Sequence, residues 1–275
     1  MRYAWDGREA YLAHWSNQPI RRAVAGWILD RLREWDRETS AGVTHFIGIS
    51  QTVRERIAAA YRRECCVIEP PVDTDFYTPR PSVQRESPYL CLSALVSYKR
   101  IDHAIAACRA LDRELLIIGD GPDRQRLESI SGPGIRFLGW QPDEHIRDQL
   151  RRCRAVLFPG EEDFGIVPLE AMATGTPVIA LGRGGARETV ADVGGALYET
   201  PTVAGLKLAI ERWESRQSGN FDPVAARARA TLFSADRFRA RMHAFLAKVV
   251  RSSENSLNST PHFKAVRNSN HNALW

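Results

Sequence analysis

Two glutamates stand eight positions apart in FPGEEDFGIVPLEAMATGTPVIA, residues 158–180. Glu162 follows a strand-like run, and Glu170 sits in a helical run that opens at Gly165. The first N–H groups of a helix have no partner inside it, and the helix dipole is positive at that end. A phosphate can rest on such amides when no side chain stands in the way, and Gly165 has none. Carboxylates suit vicinal hydroxyls, because each oxygen accepts a hydrogen bond, but they repel phosphate. They belong on either side of the anion: Glu162 toward whatever the phosphate carries, Glu170 toward a ribose. For the spacing alone, acidic residues complementing a dipole and a solvent-facing Glu170 would be the simpler explanation. The position of the pair in the chain turns the balance toward a ligand.

That position is set by a regular alternation. From residue 89, short apolar runs rich in β-branched residues occur at YLCLSAL (89–95), ELLIIGD (114–120), IRFLG (135–139), AVLFPG (155–160), PVIAL (177–181) and GALYE (195–199). Helical patterns fall between them at about 101–111, 122–130, 143–153, 165–174 and 185–191. Strand, helix, strand at this spacing means right-handed crossovers and a parallel sheet covered on both faces. Ligands of such a doubly wound α/β sheet bind beyond the carboxyl ends of the strands, where both the glutamate loop and the loop 94–100 lie.

Lys99 in that second loop stands out because the chain has four lysines among 38 basic residues, the others being Lys207, Lys248 and Lys264. Its solvated-loop explanation is the weaker one. GDGPDR (119–124) offers Gly119 and Gly121, but Arg124 replaces the third glycine of a dinucleotide fingerprint, so a dehydrogenase is poorly supported.

Upstream of residue 89 the pattern changes. Val24, Trp27, Ile28, Leu32 and Trp35 form an amphipathic stripe, THFIGIS (44–50) and CCVIEP (65–70) read as strands, and residues 51–61 as a helix. Residues 70–88, rich in proline and polar groups, read as an interdomain linker. Helices are expected at about 201–215, 222–231 and 234–251, followed by an asparagine- and serine-rich tail, 252–275, expected to be disordered. The expected organisation is therefore a partial N-terminal α/β unit with linker over 1–84, a complete doubly wound domain over 85–251, and the tail.

The 275 residues carry a net charge of +5, which suits an anionic ligand, but the basic residues are dispersed, which disfavours nucleic acid. No run approaches the length of a membrane span, and the acidic N-terminus does not read as a signal peptide. Cys65, Cys66, Cys91, Cys108 and Cys153 lack metal-ligand spacing and read as buried thiols of a cytoplasmic protein.

Taken together, FPGEEDFGIVPLEAMATGTPVIA, GRGGARETV, SALVSYKRIDHAI, IIGDGPDRQRLE and FLGW resemble, in this order-specific set, the donor-binding half of the retaining glycosyltransferases of family 4, which have the two-domain GT-B fold. MRYAWD, HFIGISQTVRERI and VIEPPVDTDFY are similar to the end of such an enzyme's N-terminal domain, so the likeness covers about residues 1–248. The resemblance implies that Glu162 contacts the donor sugar, that Glu170 binds the nucleotide ribose, and that Phe164, Gly165, Ile166 and Val167 present backbone to sugar and diphosphate. It implies that Lys99 binds the diphosphate as leaving-group charge develops. The family often has an arginine five residues before that lysine; here it is Ala94, leaving Arg100 to supply part of the charge. The family's acceptor-side glycine-rich loop and histidine have no counterpart, since His14 and His45 do not match, so the N-terminal domain is expected to be truncated.

The function implied is transfer of a hexose, foremost mannose from GDP-mannose, to a lipid-linked or polysaccharide acceptor with retention, without metal or other cofactor. Expected partners are the nucleotide-sugar, that acceptor, a peripheral contact with the inner membrane face, and a partner chain or second copy covering the partial domain. The alternatives are a nucleotide-sugar-binding remnant without turnover, and an epimerase on the same fold.

Overall fold

The computed structural model describes residues 4–13, 15–191, 193–215 and 221–259. Two parallel sheets are present among them. The smaller pairs β1 (Phe46–Gly48) with β2 (Cys65–Val67) around α3 (Gln51–Tyr61), preceded by α1 (Arg8–Ala13) and α2 (Pro19–Ser40).

The larger sheet has six strands: β3 (Tyr89–Leu92), β4 (Leu115–Ile118), β5 (Ile135–Gly139), β6 (Val156–Phe158), β7 (Val178–Leu181) and β8 (Gly195–Tyr198). The helices that alternate with them are α4 (Ile101–Ala110), α5 (Arg124–Ser129), α6 (Asp143–Arg152), α7 (Ile166–Ala173) and α8 (Ala186–Thr189), followed by α9 (Val203–Ser215), α10 (Pro223–Thr231) and α11 (Ala235–Ser259). The spatial order is β5-β4-β3-β6-β7-β8 and every pairing is parallel. This is the doubly wound sheet expected from the alternation. The chain winds outward from β3 to β5, then returns to β3's other side with β6. The switch point therefore lies between the carboxyl ends of β3 and β6.

Each central strand is apolar on both faces, as a sheet with helices on both sides requires. Leu90, Leu116, Ile118, Val156, Phe158 and Val178 share one core with Leu150, Leu169 and Ala226 of α6, α7 and α10. Their strand neighbours Tyr89, Cys91, Leu115, Ile117, Leu157 and Ile179 point the other way, into a core with Ile105, Leu127 and Ile210 of α4, α5 and α9.

The linker-like stretch is stitched to this body. Val72 and Tyr77 are buried in the first core, and the Val72 amide donates to Phe233 O at 2.8 Å. The Arg227 guanidinium donates to the carbonyls of Thr74, Tyr77 and Ala173, and Arg85 donates to those of Cys153 and Gly175.

Two expectations need correction. Helix α11 continues to Ser259, eight residues into the tail expected to be disordered, because a helix once nucleated adds one hydrogen bond per residue; residues 260–275 lie outside the described residues. The thiols are not all buried: Cys91, Cys108 and Cys153 are, but Cys65 is half-buried and Cys66 exposed, since β2 has a single strand neighbour. The stripe on α2 is helical, as expected, and its apolar face has little to pack against, with Val24, Trp27, Ile28 and Trp35 between 44 and 66% exposed and Leu29 the large residue that α2 buries.

Candidate active site

The loops that leave β3 and β6 meet in front of the switch point. Lys99 ends a 3₁₀ turn, Ser97–Lys99, after β3; Glu162 lies in the loop after β6. Lys99 Nζ reaches Glu162 Oε1 at 2.5 Å, with both side chains mostly buried (17 and 21% exposed). Gly160 makes this meeting of loops feasible, because a Cβ there would stand 2.9 Å from Lys99 Cα. The β7–α8 turn closes the far side. Gly185 N donates to Glu162 O at 2.8 Å, and a Cβ on Gly185 would lie 2.2 Å from Phe164 Cα.

Gly165 takes a left-handed conformation (φ 92°) as the residue before α7, and no side chain caps that helix. Its first turn presents the amides of Ile166 and Val167, while Pro168 contributes none. Ile166 is exposed and Val167 packs partly on the core. Phe164, expected through its backbone, buries its ring against Phe233 at a centroid distance of 5.7 Å.

Glu170 sits one turn further along α7, half-buried, where the Tyr77 hydroxyl donates to it. Burial, and then the Asp143 carboxylate at the start of α6, push its pKa up from 4.5 to about 7; the Tyr77 hydrogen bond opposes them. Asp143 follows β5, so Glu170 too lies at the carboxyl edge of the sheet.

Three sequence-derived candidates are placed otherwise. The Arg100 guanidinium is engaged with His103 and lies 3.6 Å from Asp102 Oδ1, on the first turn of α4. Gly119 and Gly121 serve backbone passage: a Cβ on them would meet Ser93 O at 2.0 Å and Leu95 O at 2.4 Å. They hold the β4–α5 loop against the loop that carries Lys99.

Residues that sequence reasoning missed include Tyr77 and Asp143, which nothing in their own neighbourhoods marks, and Arg56 of α3, which contacts the glutamate loop from the smaller sheet. Gly160, Gly184 and Gly185 carried a signal, a glycine in each loop at a strand's carboxyl end, that close approach explains. Among the described residues no group of three or more His, Cys, Asp or Glu could hold a metal ion, and no helix is long and apolar enough to cross a membrane.

Residues 80–229 match the family pattern described as glycosyl transferases group 1. The chain belongs to this family. It is 28% identical over 235 residues to 2-deoxystreptamine glucosyltransferase of Streptomyces kanamyceticus, covering 77% of this chain and 58% of that protein. It is 28% identical over 206 residues to a GDP-mannose-dependent alpha-(1-6)-phosphatidylinositol monomannoside mannosyltransferase of Mycobacterium tuberculosis, covering 64% of this chain and 51% of that one. This group 1 chain thus spans about half the length of the curated relatives it matches. Its fold is similar to that of Anabaena HepE, crystallised with UDP and glucose: TM-score 0.66 at 23% identity, over 74% of this chain and 63% of that one. The fold is that of GT-B glycosyltransferases.

Proposed function

We propose that this group 1 chain carries the donor site of a hexosyltransferase that moves a sugar from a nucleoside diphosphate to an acceptor hydroxyl with retention. The observation that carries the reading is the Lys99–Glu162 pair, joined across the switch point in front of the uncapped start of α7. A cation, free amides and a carboxylate are what a nucleoside diphosphate-sugar demands at one place. Lys99 and the Ile166 and Val167 amides take up the charge that reaches the diphosphate as the bond from anomeric carbon to phosphate oxygen breaks. Glu162, released from Lys99 by the phosphate, accepts hydrogen bonds from sugar hydroxyls. Glu170 accepts from the ribose. The charge compensation assigned to Lys99 and the amides calls for no metal.

Within this reading GDP-mannose is the proposed donor and a lipid-linked or polysaccharide hydroxyl the proposed acceptor, with the chain working at the cytoplasmic face of a membrane. The mannosyltransferases among the relatives support that choice. The alternative reading is a chain that binds the nucleotide-sugar without turning it over.

Calorimetric titration of the purified chain with GDP-mannose, UDP-glucose and NAD is the test. Binding of GDP-mannose at least tenfold tighter than the others supports the donor; preference for UDP-glucose moves it to glucose; binding of NAD alone overturns the reading. Transfer of radiolabelled mannose to a lipid extract then separates the enzyme from the binding chain.

A further inference from the structure

The glutamate loop carries three consecutive acids, Glu161, Glu162 and Asp163, directly before the amides assigned to the diphosphate. Three carboxylates at the mouth of an anion site would oppose its ligand. The structure treats them unequally. Glu162 turns to Lys99, whereas its two neighbours are both bound by one residue of α3: Arg56 donates to Glu161 Oε1 at 2.9 Å and, through its other terminal nitrogen, to Asp163 Oδ1. Asp6 contacts the same guanidinium at Nε.

The rest of the α3 start is docked on the same loops. Ser50, fully buried, caps the helix by accepting from Val53 N and donates to Asp163 O at 2.5 Å. The Glu188 carboxylate of α8 accepts from Gln51 N at 2.8 Å and Thr52 N at 3.0 Å, so the positive end of α3 rests on the donor-side body. Arg56, one and a half turns further on, is thereby fixed in front of the glutamate loop with 22% of its side chain exposed.

We infer that Arg56 is a positioning residue of the donor site: by binding Glu161 and Asp163 on either side of Glu162, it turns one carboxylate of the three toward the substrate and offsets the charge of the other two beside the diphosphate. This inference rests on the donor-site reading. A planar fork with several donors can hold two carboxylates at once, which a lysine ammonium does less well. The two ion pairs also join the smaller sheet's helix to the glutamate loop, so a residue outside the six-stranded sheet sets the electrostatics beside the diphosphate.

The test uses UDP and GDP as diphosphate probes and uridine and guanosine as controls, on the full chain, with melting temperature as a check of folding. Arg56→Gln is expected to weaken diphosphate binding about tenfold at low salt, with the loss shrinking at high salt, and to leave nucleoside binding unchanged. Adding Glu161→Gln and Asp163→Asn to Arg56→Gln removes the charges that Arg56 offsets, and diphosphate affinity should return to within about threefold of the original chain. A merely structural Arg56 predicts the reverse: the triple variant stays as weak as Arg56→Gln, or the nucleoside suffers equally. Either outcome overturns the inference, as does unchanged affinity in Arg56→Gln. If Arg56→Gln does not fold, Glu161→Gln with Asp163→Asn alone decides: weaker diphosphate binding than the original chain refutes the role. Failure of the original chain to bind any diphosphate overturns the donor-site reading itself and this inference with it.

Discussion

Glu170 gives the sharpest quantitative test, because its environment sets stability and ligand binding against each other. Burial and the Asp143 carboxylate raise its pKa to about 7 from an ordinary 4.5, so the folded chain holds a proton that the unfolded chain releases. The sign follows from proton counting. Between about pH 4.5 and 7 the folded state binds more protons, so stability falls as pH rises and the loss is complete above about 7. At about 1.4 kcal/mol per pH unit the gap corresponds to about 3 kcal/mol. Solvent reaching the half-buried carboxylate lowers the expectation to about 2 kcal/mol. Glu170→Gln keeps an acceptor for Tyr77 and removes the charge. At pH 8 the variant should therefore be more stable than the original chain by about 2 kcal/mol, or about 4 °C in melting temperature for a chain of this size. By pH 5 the advantage should shrink below about 1 kcal/mol.

Ligand binding should move the other way. Ribose hydroxyls donate to a carboxylate, so the donor binds the ionised form of Glu170 best. Affinity for an intact nucleotide-sugar, whose diphosphate does not titrate near neutrality, should rise about tenfold from pH 6 to pH 8 in the original chain. It should be flat and weaker in Glu170→Gln. The assays are thermal melting and calorimetric titration of both proteins at pH 5, 6, 7 and 8. A melting difference equal at pH 5 and pH 8 would refute the proton argument. A nucleotide-sugar affinity that keeps its pH dependence in Glu170→Gln would refute the ribose contact.

Further outcomes follow from the same geometry. Glu162→Ala should leave nucleoside diphosphate binding within about twofold while abolishing the added affinity of the intact sugar ester, by titration with both; an equal loss for both ligands would mean that Glu162 does not face the sugar. Lys99→Ala should weaken the diphosphate at least tenfold more than the nucleoside at low salt, with the difference reduced in 0.5 M salt as charges are screened, again by titration. Gly185→Ala puts a Cβ against the Phe164 backbone, 2.2 Å from its Cα, and should cost about 2–4 kcal/mol in denaturant melts while displacing the glutamate loop. EDTA should leave nucleotide-sugar binding unchanged; a loss restored by a divalent cation would overturn the metal-free reading.

How much of this was legible beforehand depended on whether the signal was local. The strands of the larger sheet were, since each is a short, largely apolar run between turn residues: IRFLG became β5 without change, and the other five runs were shortened at one or both ends, where the sheet's hydrogen bonds stop. The placement of Glu162, Glu170 and Lys99 at the carboxyl edge of the sheet was legible for a related reason, because the same apolar runs mark where each strand ends. Arg100, Gly119 and Gly121 show the limit of that inference. They occupy such loops too, yet one is drawn to His103 and the others let backbones pass, and neither that contact three residues away nor a 2 Å approach is written in spacing. Arg56, Tyr77 and Asp143 lay beyond sequence reading altogether: their partners are 27–107 positions away, and only the winding order of the sheet brings them to the glutamates. The pairings that can be read from sequence are those within one strand–loop–helix unit. The pairings that give a carboxylate its charge state run between units, which is why the positions of Glu162 and Glu170 in the chain could be read from sequence while the raised pKa of Glu170 and the lysine contact of Glu162 could not.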